Sequence, residues 1–184
     1  MDNIGVQIVK KLELVNENSD LKIYRFRPSI LNLFHGNLRI MNLHEIIRFI
    51  SLFVHGYEVY HLYIRNKEVG YCVVQNGGSY RYKFATPKDI IIGPYFIANE
   101  FRKQGYATYL LNKILYEFDI SYENIYCFIH KNNIASKKTV GKLGFKGYWG
   151  GKHSRITRIL KKCDYEVGDF IIYKFNNNEL VNIL

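Results

Sequence analysis

The stretch "NEFRKQGYATYLL", residues 99–111, decides how the chain is read. Gly105 stands alone between the basic pair Arg102-Lys103 and what reads as the first turn of an apolar helix. A glycine within a helix costs roughly 1 kcal/mol relative to alanine, so its place at a helix start asks for another reason. Helix N-termini carry unpaired N–H groups and the positive end of the helix dipole, which makes them anion sites. Gly105 removes a side chain where a phosphate approaches the backbone, and Ala107 keeps a nearby position small. Arg102 and Lys103 add full charges beside those dipoles. The alternative is that Gly105 only eases a tight strand-to-helix turn. The segment is neither a P-loop nor a dinucleotide fingerprint, because the Lys-Ser/Thr pair and the three-glycine spacing are both absent.

Upstream, "DIIIGPYFI" (89–97) reads as a strand interrupted by Gly93-Pro94, and proline within a strand points to an edge or a bulge. Downstream, Ala107, Leu110, Leu111, Ile114, Leu115 and Phe118 trace one helical stripe facing a sheet. "NIYCFIH" (124–130) is a second buried strand. "NNIASKKTVGKLGF" (132–145) follows as a short helix, with Asn132 or Asn133 as N-cap and Gly144 as its stop. Strands are expected at 145–149 and 170–175.

Before the opening stretch, "LKIYRFRP" (21–28) reads as a first strand ending at proline. A helix follows from Leu43, capped by Asn42, with Ile46, Ile47, Ile50 and Phe53 at helical spacing. "YEVYHLYIR" and "EVGYCVVQ", separated by Asn66-Lys67, suggest a hairpin. Both runs are apolar on both faces, as expected for strands in a sheet covered on both sides. "SYRYKFATPKD" (79–89) is a polar, aromatic connection with no assigned element. The succession of elements gives a mixed α/β layer fold.

The chain has 184 residues, a length that suggests a single domain over 1–184. No apolar run approaches the roughly 20 residues that span a bilayer, and the N-terminus lacks a signal-peptide layout. Cys72, Cys127 and Cys163 are odd in number and far apart, matching neither a disulfide framework nor a zinc pattern. A cytoplasmic location and no metal are expected. The formal charge of +10 implies attraction to anions without choosing among nucleic acid, acidic lipid, phosphorylated cofactor or nucleotide-linked substrate.

Arg102-x-x-Gly105-x-Ala107 resembles the acyl-CoA signature of the GCN5-related N-acetyltransferases (GNAT family). Asn133-x-x-Ser136 followed by Lys142-Leu143-Gly144-Phe145 is similar to that family's second block, and the close match runs over 90–148. The resemblance implies a mostly antiparallel central sheet flanked by helices, with two central strands splayed apart. Acetyl-CoA would lie in the V-shaped gap between them. Phe96 and Ile97 would pair with its pantetheine arm. The amides of Lys103, Gln104, Gly105, Tyr106, Ala107 and Thr108, beside Arg102, would hold the pyrophosphate. Asn133 and Ser136 would contact the pantetheine and position the thiol end.

The implied activity is acetyl transfer from acetyl-CoA to a primary amine of a small molecule, amino sugar or protein by direct attack. N–H groups of a bulged strand can serve the oxyanion. Many members supply the proton for the departing thiolate from a tyrosine seven residues after the second-block asparagine; here that position is Val140. Candidates for acid or base are His130, Glu100 and Tyr95, with Asp89 and Tyr126 behind them; Cys127 has no base nearby to activate it. The bland alternatives are a strand-end histidine, solvated carboxylates and core tyrosines. Lys152, Arg155, Arg158 and Lys161 recur every third residue and suggest either a docking face for an acidic or nucleotide-linked acceptor or a solvated face. "YWGGKH" (148–153) suits a substrate loop, while Trp149 alternatively covers the sheet. O-acetyl transfer and a non-catalytic acyl-CoA-binding module are the alternatives; specific nucleic-acid binding and membrane insertion are not expected, and a homodimer is left open.

Overall fold

The computed structural model describes residues 12–18, 20–30, 50, 52–117, 122–154 and 159–176. Nine strands form one sheet: β1 (Glu13–Asn18), β2 (Leu21–Phe26), β3 (Tyr57–Ile64), β4 (Lys67–Asn76), β5 (Asp89–Ile97), β6 (Asn124–His130), β7 (Lys146–His153), β8 (Leu160–Cys163) and β9 (Phe170–Asn176). Their order is β1-β2-β3-β4-β5-β6-β9-β7-β8. Only β5 and β6 run parallel; every other neighbouring pair is antiparallel. Two described helices flank the sheet here, α1 (Tyr106–Glu117) and α2 (Ile134–Lys142). No described helix is long and apolar enough to cross a membrane.

The central strands part where the sequence interrupts β5. The ladder between β5 and β6 runs from Asp89↔Asn124 to Ile91↔Tyr126 and stops there, although both strands continue. Gly93 (φ 116°) and Pro94 follow at once. Proline has no N–H to offer a neighbouring strand. On the other side, the β4–β5 register slips between Cys72 and Val74, the signature of a bulge. The closed end is pinned by Asp89, which is 1% exposed. Its carboxylate accepts hydrogen bonds from Asn124 Nδ2 (2.7 Å), Thr86 N (2.7 Å) and Thr86 Oγ1 (3.0 Å).

Both faces of the sheet are covered. On one face, α1 buries Leu110, Leu111, Ile114 and Leu115, and α2 buries Val140, against Ile90, Ile92, Ile125, Cys127 and Ile129. Full burial of such side chains stabilises by about 1.5–3 kcal/mol each, so the α1 stripe dominates the attachment of that helix. The opposite face carries two smaller clusters. Leu52 packs with Phe26, Tyr57, Val59 and Val73 over the first half. Tyr82, Ala85 and Leu160 pack with Ile91, Tyr126 and Ile172 over the second. The connection 77–88, which takes in most of the unassigned 79–89 stretch, is therefore a cover for the sheet. Gln75 Nε2 ties it to the bulge, donating to Tyr82 Oη and to the Gly93 carbonyl, both at 3.3 Å.

Several local expectations shift. The first strand is β1, whose burial shows no alternation; β2 ends at Phe26, short of Pro28. The β3–β4 turn is Arg65-Asn66, both with positive φ (47° and 66°), one residue earlier than read, as a two-residue hairpin requires. "YWGGKH" lies in β7 and is not a loop. Of the basic residues recurring every third position, Lys152 and Lys161 face each other across β7 and β8, and Arg155 and Arg158 lie outside the described residues. Phe118, the last of the α1 stripe, lies outside them too. So do the helix from Leu43 and its Asn42 cap, except that residues 52–55 are helical and end at Gly56 (φ 84°).

Candidate functional site

Between the splayed end of β5, the start of α1 and the first turns of α2 runs a groove of about 870 Å³. Its floor follows from the chain's path after Ile97. A short 3₁₀ turn (Asn99–Phe101) leads to Lys103, which takes φ 62°, and then to Gly105 at φ 87°. Two left-handed residues in three turn successive N–H groups toward one side. Gly105 acts as the helix N-cap, its carbonyl accepting from Tyr109 N at 2.9 Å. A Cβ built on Gly105 would meet nothing within 4 Å. The glycine therefore serves a backbone conformation and leaves open space before the helix. Within the described backbone, no hydrogen bond takes up the N–H groups of Lys103, Gln104, Gly105, Tyr106, Ala107 and Thr108.

The β5 wall presents backbone as well. Ala98 N bonds to the Val69 carbonyl at 2.8 Å. Antiparallel alternation then turns the peptide groups of Tyr95 and Ile97 away from β4 and into the gap. The Ile97 carbonyl is met there by Arg102 Nε at 2.9 Å. Arg102 also lies over the Phe96 ring, 5.4 Å from its centroid. It thus braces the strand end and lines the groove together.

The third wall is α2. Asn133 is its N-cap, Oδ1 accepting from Ser136 N at 3.1 Å, which decides between Asn132 and Asn133. Gly144 follows the helix with φ 86°, the left-handed stop expected. Tyr95 reaches across from β5, its hydroxyl donating to the Ser136 carbonyl at 3.4 Å. Burial pushes the Tyr95 phenol up to about 12, so it holds its proton at neutral pH.

Most of the residues expected from sequence converge. Tyr95, Phe96, Ile97, Arg102, Lys103, Gly105, Tyr106, Ala107, Thr108, Asn133 and Ser136 all line the groove. Gln104 does not, because its Nε2 folds back onto the Glu100 carbonyl at 3.0 Å. Glu100 sits on the surface, ion-paired with Lys67 at 3.3 Å. Its own backbone N–H and Lys67 hold its carboxyl below the usual carboxylate range. His130 lies on the opposite face of the sheet, edge-on to Phe170 with ring centroids 5.3 Å apart. Its Nδ1 accepts from Asn132 N at 3.2 Å, so the neutral ring carries its hydrogen on Nε2 and offers a donor, not a lone pair. Val140 is 1% exposed in the core. Asp89 is consumed by the closed end of the gap. Cys127 is fully buried, and burial pushes its thiol well up, away from the nucleophilic thiolate.

Phe101, Ile134, Ala135, Lys138 and Thr139, not expected from sequence, also line the groove, as does Lys142, quoted from sequence only as part of the second block. Ala135, Lys138 and Lys142 recur at offsets of three and four along α2, so helical periodicity counted from its N-cap would have found them.

Comparison with known proteins agrees with this geometry. No curated protein sequence matches the chain. Many solved structures resemble it in fold, among them the following three. A putative acetyltransferase from Salmonella typhimurium, solved with acetyl-CoA, matches with TM-score 0.53 and 15% identity over 75% of each chain. A GNAT family acetyltransferase from Elizabethkingia anophelis with acetyl-CoA bound matches with TM-score 0.56 and 12% identity, over 86% of this chain and 99% of that one. The ribosomal-protein-S18-alanine N-acetyltransferase from Escherichia coli gives TM-score 0.53 and 12% identity, over 84% and 93%. The family model for the acetyltransferase (GNAT) domain matches residues 18–146, and the chain belongs to that family.

Proposed function

We propose that the protein transfers the acetyl group of acetyl-CoA to a primary amine of a small molecule, amino sugar or protein by direct attack. The observation that carries this reading is the row of unpaired amides from Lys103 to Thr108 at the foot of a gap between two splayed strands. That arrangement suits a pyrophosphate at the helix N-terminus, with Lys103, Lys138 and Lys142 supplying charge around it. The peptide groups of Tyr95 and Ile97 suit an extended pantetheine arm as an added strand, and Asn133 Nδ2 and Ser136 flank its far end.

Because α1 and α2 close one face of the sheet, the amine enters from the other, past the edge of the 77–88 cover. Its nitrogen attacks the thioester carbonyl carbon, the C–S bond breaks, and the departing thiolate takes the Tyr95 hydroxyl proton. The attacking nitrogen sheds its proton to solvent, and the phenol regains one from water. Tyr95 thus supplies from β5 the acid that Val140 cannot. Of the other candidates, His130 steadies the turn before Asn133, and Glu100 pins the turn before α1. O-acetyl transfer shares the donor half and differs only in the acceptor atom. A purely binding module is disfavoured by the protonated phenol facing the groove. The reaction belongs in the cytoplasm, in keeping with three free thiols.

Release of thiol from acetyl-CoA across a panel of amines, amino sugars, N-terminal peptides and alcohols tests the proposal. Turnover with an amine supports it; binding of acetyl-CoA without turnover on any acceptor supports the binding module instead.

A further inference from the structure

The sheet face opposite α1 and α2 carries, over β9, β7 and β8, a group of residues that the donor groove does not use. Lys174 and Lys146 stand directly opposite each other on β9 and β7. Lys162 on β8 brings its ammonium 3.3 Å from the centroid of the Trp149 ring. Lys174 lies 5.2 Å from the centroid of Tyr148. Among the described residues, neither Lys162 nor Lys174 forms an ion pair. The acid nearest in effect, Asp89, is buried and occupied by Thr86 and Asn124. Partial burial, together with the field of Lys174, pulls the Lys162 ammonium below its ordinary range.

The β7 ladder slips between Gly147 and Trp149, making Tyr148 the extra residue of a bulge. Bulges re-aim side chains beside functional sites. Here the bulge brings the Tyr148 ring to 4.2 Å from that of Trp149 and leaves it 54% exposed. The result is two ammonium groups, one on each of two neighbouring aromatic rings, with the Tyr148 ring open to solvent. Its three strands span about 10 Å at ~4.8 Å per strand. That is the scale of a nucleotide, whereas a stable macromolecular interface buries roughly 1,200–2,000 Å².

The patch adjoins the gap. Lys174 pairs with Tyr126, and Tyr126 forms the last rung to Ile91 before β5 and β6 separate. We propose that this patch binds the nucleoside diphosphate of a nucleotide-linked amine, the acceptor for the reaction above. Lys162 and Lys174 meet the two phosphates, Tyr148 stacks on the base, and the amine reaches over β6 to the gap. The inference rests on the acetyltransferase reading and narrows its acceptor to one class.

Trp149 is the only tryptophan in the chain, so its fluorescence reports on this patch directly. Uridine diphosphate and inorganic pyrophosphate are titrated into the full chain with saturating CoA present, which blocks the donor groove. The expected result is a saturable change with uridine diphosphate. Lys162→Gln/Lys174→Gln should weaken it at least tenfold while leaving CoA affinity unchanged. Pyrophosphate should bind several-fold more weakly than the nucleotide in the wild type, and Tyr148→Ala should remove that difference. No saturable change, or one that the double variant leaves untouched, overturns the proposal. So does a response to poly-glutamate or an RNA oligonucleotide but not to the mononucleotide. CoA affinity, measured on the same samples, separates this failure from failure of the donor reading.

Discussion

Replacing Gly105 separates the two duties proposed for it, the left-handed turn and the room for a phosphate, because they differ in magnitude. Gly105 sits at φ 87° with nothing within 4 Å of the place a methyl group would take, so alanine meets no steric clash there. What remains is the left-handed backbone, which costs an L-residue roughly 1–2 kcal/mol. For a chain of this size that lowers Tm by about 2–8 °C. Gly144, at φ 86°, carries the same conformational demand but lies outside the groove. Gly144→Ala should therefore lose comparable stability and no affinity for acetyl-CoA. Gly105→Glu adds a negative charge before the amides. At ~5 Å from a phosphate, with effective dielectric between about 20 and 80, the repulsion is about 1–3 kcal/mol, roughly 5- to 150-fold in affinity. Thermal melts by circular dichroism give the stability loss, and calorimetric titration with acetyl-CoA gives the affinity. A folded Gly105→Glu protein that binds acetyl-CoA as tightly as the wild type would refute the assignment of the phosphate to this helix end.

Tyr95→Phe should lower kcat by about 10²–10⁴-fold, the usual contribution of a positioned acid. Its KM for acetyl-CoA should stay within a few-fold, as steady-state thiol release will measure. Val140→Tyr should not rescue that variant. Val140 is sealed in the core, so overpacking there costs about 1–3 kcal/mol and shows as a lowered urea midpoint. Burial pushes the phenols of Tyr57, Tyr63, Tyr95 and Tyr126 each up to about 12. Their unfolded forms lose protons near pH 10. Between those values the unfolded chain binds fewer protons, so stability is full below pH 10 and falls as pH rises toward 12. Urea titrations across that range should show a steep loss of midpoint, with little change from these groups between pH 7 and 9.

The groove proposed to hold the donor was legible in the sequence because its demands are local. A glycine at φ 87° and a helix stripe sit within a dozen residues, and Gly93-Pro94 marks where the strand must let go. Asn133 with Ser136 is likewise a short-range cap. Less local features did not declare themselves. β1 has no buried alternation, and β8 is a four-residue strand burying only Leu160, so neither carries a period to read. Tyr95 meets Ser136 across 41 positions, a contact made by the packing of α2 on β5. The lysines of the far face come together only through the order β6-β9-β7-β8, which places residues 146, 162 and 174 on one patch. His130, poised for proton transfer by its place at a strand end, instead turns its Nδ1 to the Asn132 amide.

The central claim is that acetyl-CoA rests on the α1 N-terminus and threads between β5 and β6. Amide chemical shifts recorded as acetyl-CoA is added to the ¹⁵N-labelled chain test it most directly. The account predicts the largest changes at the N–H groups of Lys103 through Thr108, followed by Tyr95 and Ile97, with the hairpin of β3 and β4 nearly still. Saturable binding that leaves those amides unmoved and shifts residues elsewhere would contradict it.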